Sequence, residues 1–426
     1  MKATFDLVIV GAGPAGLAAA RAAAAAGGGL TIAVVDDNPR AGGQVWRQGP
    51  GAAQPDALRE ALAGLGAKPN VTLFSGAKVS ALADANELLV QSAEHGGITV
   101  SFGQLIIAAG ARERLLPFDG WTLSGVTGAG GLQALSKGGM PVRGERIVLA
   151  GSGPLLIAAL ATARAAGARV LAIVEQAPRR AILSCGLSLG ATPSKVWQAL
   201  RLTRGFAGTS YWPDSIVVRA LGDECVEAAV VRRGGREVTL ECDRIACGYG
   251  LVPNVALAQT LGCALTHGAI EVDERQGTSV PGVWAAGECT GIGGMELARA
   301  EGEIAGLAAS GQPVPVRLVR ERARWRRFAA RVARSFELSA AARAWPNADT
   351  ILCRCEDVPF GDVSPHATWR DAKLHTRCGM GPCQGRICGA AAQTYFGWDA
   401  AMPRPPLSPT RIGALLCAQA QDDAPL

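Results

Sequence analysis

Five of the twelve cysteines fall between residues 353 and 388. Cys353-Arg354-Cys355 is followed, after 27 intervening residues, by Cys383-Gln384-Gly385-Arg386-Ile387-Cys388, and Cys378 lies five residues before Cys383. Four thiolates can hold a [2Fe–2S] cluster. Zinc also takes four thiolates, but usually from wider C-x2-C pairs, so the C-x-C pair favours the cluster. The other seven cysteines, at 185, 225, 242, 247, 263, 289 and 417, are scattered singly. Such clustering argues for a metal rather than a disulfide scaffold. Cys185, Cys247 and Cys289 read as small buried side chains.

A second constellation opens the chain. Val8-Ile9-Val10-Gly11-Ala12-Gly13-Pro14-Ala15-Gly16 places three glycines at G-x-G-x-x-G spacing after a buried strand and before an alanine-rich helix. Each glycine has its own physical reason in a dinucleotide site. Gly11 permits the tight turn, Gly13 lets backbone approach a pyrophosphate, and Gly16 lets helix pack close to strand. Pro14 and Ala15 then open the helix, whose N-terminal N–H groups face the phosphates. A second strand, Leu30 to Val35, ends in Asp36 and Asp37, carboxylates placed to accept ribose hydroxyls. Gly42-Gly43-Gln44 follows and reads as backbone lying close to the ligand.

This order repeats. Arg146 to Ala150 reads as a strand, Gly151-Ser152-Gly153-Pro154 as the loop, Leu156 to Ala166 as a helix, and Arg169 to Val174 as a strand closed by Glu175. Gly11 to Asp36 is 25 residues and Gly151 to Glu175 is 24; the hairpin glycines follow at 85 and 83 residues from the first glycine. Matched order and spacing indicate two dinucleotide-binding domains on one plan, an α/β fold of Rossmann-like type. Between the copies, Val71 to Val100 reads as an antiparallel excursion with a turn at Gly96-Gly97, and Leu105 to Ala111 as a buried strand ending in the small residues Ala109 and Gly110. The second copy has Leu156 where the first has Gly16, which narrows its phosphate site. A second nucleotide, NAD or ATP, between Gly151 and Glu175 is therefore doubtful, and Glu175 would repel a 2′-phosphate.

Composition narrows the function classes. Hydrophobic residues make up 49% and the net charge is +6. Eight arginines between Arg317 and Arg334 form the main charge run. With Trp325, Phe328, Val332 and Phe336 recurring at helical spacing, this run reads as an amphipathic helix with solvated arginines, not a nucleic-acid surface. No apolar stretch reaches the length of a membrane span, and the strand–glycine–helix pattern explains the apolar N-terminus better than a signal peptide does. The four histidines, His95, His267, His366 and His375, form no recognisable acid–base constellation, so no catalytic residue is named.

Val283-Trp284-Ala285-Ala286-Gly287-Glu288, with the glycines and helix after it, resembles the closing motif of two-dinucleotide-domain flavoproteins. There an acid after Ala-x-Gly meets the ribityl or pyrophosphate part of FAD; Glu288 stands where Asp is usual. The cysteine stretch with Thr376-Arg-Cys-Gly-Met-Gly-Pro-Cys-Gln-Gly-Arg-Ile-Cys-Gly389 resembles the bacterioferritin-associated-ferredoxin-like [2Fe–2S] module. Together with Gly42-Gly43-Gln44-Val45-Trp46-Arg47 it is similar to the FAD-binding alpha subunit of heteromeric amine dehydrogenases, the group of opine oxidase, D-hydroxyproline dehydrogenase and hydrogen cyanide synthase.

That resemblance implies FAD held by Gly11, Gly13, Pro14, Ala15, Gly16, Asp36, Asp37, Gly43, Gln44, Ala109, Gly110, Gly287 and Glu288. It implies a cluster on Cys353, Cys355, Cys383 and Cys388, with Cys378 spare because related modules lack its counterpart. The implied domains are 1–115 with 246–310 for FAD, an inserted second dinucleotide-binding-like domain at 116–245, a basic linker helix at 311–345, and the iron–sulfur module with its tail at 346–426. The implied role is electron transfer in a cytoplasmic complex, peripheral to the inner membrane in some settings. A separate FAD-containing catalytic subunit would oxidise the amine, with a quinone or similar acceptor downstream and room for a small third subunit. The alternative is a self-contained NADH-dependent reductase of a ferredoxin-like partner, against which Leu156 counts. A third is a binding scaffold whose nucleotides are structural.

Overall fold

The computed structural model describes residues 2–27, 29–50, 53–66, 68–94, 96–188, 208–344, 346–399 and 403–419. His95 lies outside them. The chain divides into two compact units: Met1–Arg112 with Pro253–Ala329 and Met402–Leu426, and Glu113–Val252 with Ala330–Ala401. The tail after residue 402 thus falls with the first unit and the cysteine stretch with the second, whereas the sequence pattern groups 346–426 together.

The first unit is built on a sheet in which strand β1 (Lys2–Val10) lies between β2 (Ile32–Asp36) and the strand Gly96–Ile107, parallel to both. Every residue of β2 is buried, as expected of a parallel strand covered on both faces. Val283–Ala285 extends the sheet by pairing in parallel with Leu105–Ile107. Val71–Ser75 pairs in parallel with β2, so it belongs to the dinucleotide sheet and not to an antiparallel excursion. Gly96, with φ +67°, opens a single 12-residue strand that runs through Ile107. Its first half pairs with Glu87–Ser92 and its second half with Val283–Ala285. Alternation alone could not show that one edge of the strand serves two partners while β1 takes the other.

Helix α1 (Pro14–Ala25) packs on the helix Met295–Ala309 with almost no side chain between them. A Cβ on Gly302 would lie 2.1 Å from the Ala15 carbonyl oxygen, and one on Gly306 2.2 Å from that of Ala19. Backbone-to-backbone contact this close is available at 302 and 306 only to glycine.

The second unit repeats the plan. Arg146–Gly151 lies between Arg169–Glu175 and Arg244–Gly248, all parallel, and Val126–Gly128 pairs with Arg244–Gly248. An antiparallel sheet of Ser215–Leu221, Ala228–Arg233 and Arg236–Glu241 follows, its hairpin turning on Gly234 and Gly235 at φ +56° and +77°. The cysteine stretch forms a small core of its own around Leu352, Phe360, Val363 and Trp369. Among the described residues, no helix is long and apolar enough to cross a membrane.

Candidate functional site

At the carboxyl end of β1, Gly11 has φ +111°, and a Cβ there would lie 2.3 Å from the Ala108 carbonyl oxygen. A Cβ on Gly16 would lie 1.7 Å from the Gly11 carbonyl oxygen. Packing of the chain therefore demands both glycines. Gly13 is different. Its φ of −79° suits any residue, and a Cβ would meet only the Gly43 Cα, at 3.8 Å. Nothing in the chain requires a glycine at 13, so its missing side chain is explained by something that must come close, as a pyrophosphate does. Gly13 caps α1 without a side-chain hydrogen bond, leaving the first-turn N–H groups for a ligand. Gly43 lies back to back with Gly13, and the Gly42 N–H donates to the Ala12 carbonyl at 2.8 Å.

This contrast yields a test. Gly13→Ala should leave thermal stability within about 0.5 kcal/mol of the parent. The added methyl should weaken flavin retention by at least about tenfold, or about 1.4 kcal/mol. Gly16→Ala should damage folding itself. Equilibrium dialysis of flavin against a thermal melt checks both; equal retention by Gly13→Ala and parent would remove Gly13 from the site.

Asp36 is buried, and its carboxylate is engaged by the chain: Oδ2 accepts the Ala12 N–H at 2.5 Å, and Oδ1 accepts the Asn38 backbone N–H at 2.8 Å and Nδ2 at 2.9 Å. It positions the glycine loop, and Asp37 stands beside it as the exposed carboxylate. Exposed Gln44 is held by Arg47, whose Nε donates to Oε1 at 3.1 Å; Arg47 also reaches Asn38 at 3.0 Å.

The closing motif returns to the same sheet end. Ala109 and Gly110 follow the strand Gly96–Ile107, and Asn254 holds both: Nδ2 donates to the Ala109 carbonyl at 2.9 Å and its N–H to that of Gly110 at 3.0 Å. Gly287, at φ +83°, touches α1, since a Cβ there would lie 2.8 Å from the Ala15 Cβ. Glu288 Oε1 accepts the Gly294 N–H at 2.7 Å, capping the helix Met295–Ala309. Its Oε2 is buried with no hydrogen-bond partner, and burial pushes the carboxyl above its usual range. An unpartnered buried carboxylate oxygen costs stability unless a donor arrives, so this atom fits a ligand hydroxyl.

Sequence reasoning missed the support behind this motif. Buried Glu301 accepts the Gly287 N–H at 3.1 Å and the Thr290 hydroxyl at 3.0 Å, and pairs with Arg326 at 2.9 Å. Buried Arg322 donates to the Gln276 side chain at 3.1 Å, and Gln276 donates to the Ala285 carbonyl at 2.9 Å. Two of the arginines read as solvated thus brace the loop around Gly287. The detectable signal was a glutamate, Glu301, among the alanines and glycines of the helix.

In the second unit Gly151 has φ +140°, and a Cβ there would lie 2.0 Å from the Gly248 carbonyl oxygen, as at Gly11. Leu156 is fully buried in the core beneath its helix, and Gly153 adopts φ +88° where Gly13 has −79°. The second loop therefore differs in shape from the first. Glu175 accepts the Gly153 N–H at 2.8 Å and the Ala177 N–H at 2.9 Å, and burial pushes its pKa up to about 7. A raised carboxyl pKa means that the folded state binds the extra proton. Its stabilising contribution is full at about pH 4 and is lost as pH rises through about 7, a change of about 3 kcal/mol. Thermal midpoints of this unit should fall between pH 5 and 8, and Glu175→Gln should flatten that slope while lowering the midpoint at pH 5. An unchanged slope would assign the pH dependence elsewhere.

The cysteines converge in the same unit. The sulfurs of Cys353, Cys378 and Cys388 lie within 4.8 Å of one another and are buried. Cys353 is the acceptor of the three, its thiol held well below the usual range by Cys378 and then Cys388. Cys355 is exposed, half-buried Cys383 hydrogen-bonds it, and the Gly379 N–H points at the Cys353 sulfur at 3.4 Å. The structure thus gathers Cys378, set aside from sequence, with two of the expected ligands, and pairs the other two beside them. A set of five soft donors, with Gly381 packed against Cys355 and Gly379 and Gly385 against Trp369, fits an iron–sulfur group. Cys247 and Cys289 are buried thiols pushed up by burial, Cys289 to about 12, as expected of inert packing residues.

Residues 5–303 match the model of the pyridine nucleotide-disulphide oxidoreductase family. The A-type subunit of opine oxidase from Rhizobium meliloti (strain 1021) is 34% identical, covering 96% of this chain and 98% of its own. Hydrogen cyanide synthase subunit HcnB of Pseudomonas protegens is 30% identical, covering 96% of each chain. Among solved structures, L-proline dehydrogenase from P. horikoshii shares the fold with TM-score 0.69 at 18% identity, covering 97% of this chain and 80% of that one. T. acidophilum thioredoxin reductase does so with TM-score 0.57 at 22% identity, covering 72% and 98%. By fold, by family match and by near full-length likeness, this chain belongs to the pyridine nucleotide-disulphide oxidoreductase family, in the group that holds HcnB and its opine oxidase counterpart.

Proposed function

We propose that the chain is the FAD- and [2Fe–2S]-carrying subunit of a heteromeric dehydrogenase acting on the C–N bond of an amino-acid-derived amine. The observation that carries this reading is a cluster of five cysteines, a buried trio with a pair beside it, in the same chain as a glycine loop shaped for a pyrophosphate. The named relatives are themselves subunits of an opine oxidase and of a hydrogen cyanide synthase, which supports both the amine class and the need for a partner. Flavin supplies two-electron acceptance, and an iron–sulfur cluster supplies one-electron transfer.

The chain's own part is binding and placement. Gly11, Gly13 and Gly16 with Pro14 and Ala15 present the α1 terminus to the pyrophosphate. Asp36 fixes that loop, Asp37 lies on the ribose side, and Gly43 and Gln44 line the approach. Ala109, Gly110 and Gly287 keep the sheet end open, and the unpartnered Glu288 oxygen accepts a ribityl hydroxyl. Cys353, Cys355, Cys383 and Cys388 would hold the cluster. The partner is a separate flavoprotein subunit that oxidises the amine to an imine, and the final acceptor is a quinone or similar carrier. Anaerobic purification followed by flavin, iron and acid-labile sulfide analysis tests the cofactor part. Absence of flavin, or zinc without sulfide, would overturn it.

A further inference from the structure

The second dinucleotide cradle is filled by the chain itself. Ser152, inside the glycine loop, donates from Oγ to the Phe336 carbonyl at 3.0 Å. Gln176, next to Glu175, donates to the Ser152 hydroxyl at 2.8 Å and to the Glu337 carbonyl at 3.0 Å, and its Oε1 accepts the Ser339 N–H at 2.8 Å. The Phe336 ring lies over Gly153, where an added Cβ would be 3.5 Å from the ring's Cγ. Leu338 is buried in the core of this same unit. In the first domain the corresponding glycine, Gly13, faces only the backbone of Gly43.

A dinucleotide bridges two places in such a fold, the glycine loop through its pyrophosphate and the acid end of the next strand through its ribose. Here Phe336–Ser339 bridges the same two places. Glu175 is held by two backbone N–H groups, as Asp36 is in the first cradle, so the acids are alike and the difference between the cradles lies in Phe336–Ser339. We propose that Phe336–Ser339 is a built-in plug of the second cradle. This domain takes no nicotinamide or adenine nucleotide, and instead seats the segment that leads to the cysteine cap. The inference does not rest on the amine reading of the function; it removes nicotinamide cofactors as a source of electrons through this domain.

A tethered plug has the advantage of its effective concentration, which reaches the millimolar range for short links. If the plug is seated about 99% of the time, a nucleotide of intrinsic Kd about 10 μM shows an apparent Kd of about 1 mM. The test is calorimetric titration of the full-length, flavin-loaded chain with NAD+ and, separately, ATP. The parent should show no saturable binding below about 1 mM. Phe336→Gly combined with Gln176→Ala, which removes the ring and the Gln176 anchors, should bind at least one of them at least about tenfold more tightly. Saturable binding to the parent below about 100 μM would overturn the proposal. So would a folded double variant that binds no better than the parent. Should the double variant fail to fold, hydrogen exchange of the parent at Glu337–Ser339 decides. These amides should be unaffected by about 50 μM of either nucleotide, about a twentieth of the apparent Kd of a seated plug, and a nucleotide-induced change there overturns it.

Discussion

Cys353→Ser or Cys388→Ser, purified without oxygen, should contain no iron, against about two irons and two sulfides per chain in the parent. These two cysteines belong both to the spaced pattern in the sequence and to the buried trio in the structure. A serine hydroxyl is a hard, weakly acidic ligand and holds a cluster far less well than a thiolate. Cys355→Ser and Cys383→Ser should lose iron too, since each iron needs two thiolates and these sulfurs are already partners. Cys378→Ser should keep its iron. Iron lost from Cys378→Ser but retained by Cys355→Ser or Cys383→Ser would replace that ligand with Cys378. Because cluster binding is also folding free energy for so small a core, the iron-free variants should be cut by protease within residues 346–399 under conditions that spare the parent.

The parts of this molecule that could be read from sequence are those whose cause is local. Gly11 and Gly16 are fixed by contacts within a few residues of strand, turn and helix or by the adjacent strand, so spacing reveals them. The second copy was legible for the same reason, with Gly151 meeting Gly248 as Gly11 meets Ala108. What spacing could not show is which distant group a side chain meets. Arg326 looks like any arginine of a charged helix until Glu301 is found opposite it, and Glu301 in turn holds Gly287. Phe336 fits an amphipathic stripe, yet its ring covers Gly153, more than 180 residues earlier in the chain. Cys378 could be neither included nor excluded by counting, because a C-x4-C spacing satisfies thiolate geometry as readily as its neighbours do. Gly13 shows the converse: its position was legible, but only the empty space beside it separates a ligand's glycine from a packing glycine.

Assayed alone with an artificial dye, this chain should not oxidise opines, D-hydroxyproline, proline, sarcosine or glycine, and a co-encoded flavoprotein should raise the rate by at least about 100-fold. Breaking a C–H bond next to nitrogen requires a group to take the nitrogen's proton and to hold the substrate, and such acid–base work is worth about 10²–10⁴ in rate. Among the described residues the histidines do not provide it. His366 and His375 are both tied to Asp371 in the cysteine-bearing stretch, His366 to its carboxylate at 2.8 Å and His375 to its carbonyl at 3.0 Å, while His267 sits in a turn at φ +51°. Two compact units, each built on a dinucleotide-type sheet, account for the described residues before 310, with no third unit among them. Substrate-dependent dye reduction by the chain alone, at a rate the partner does not change, would show that the substrate site lies within this chain and would end the subunit reading.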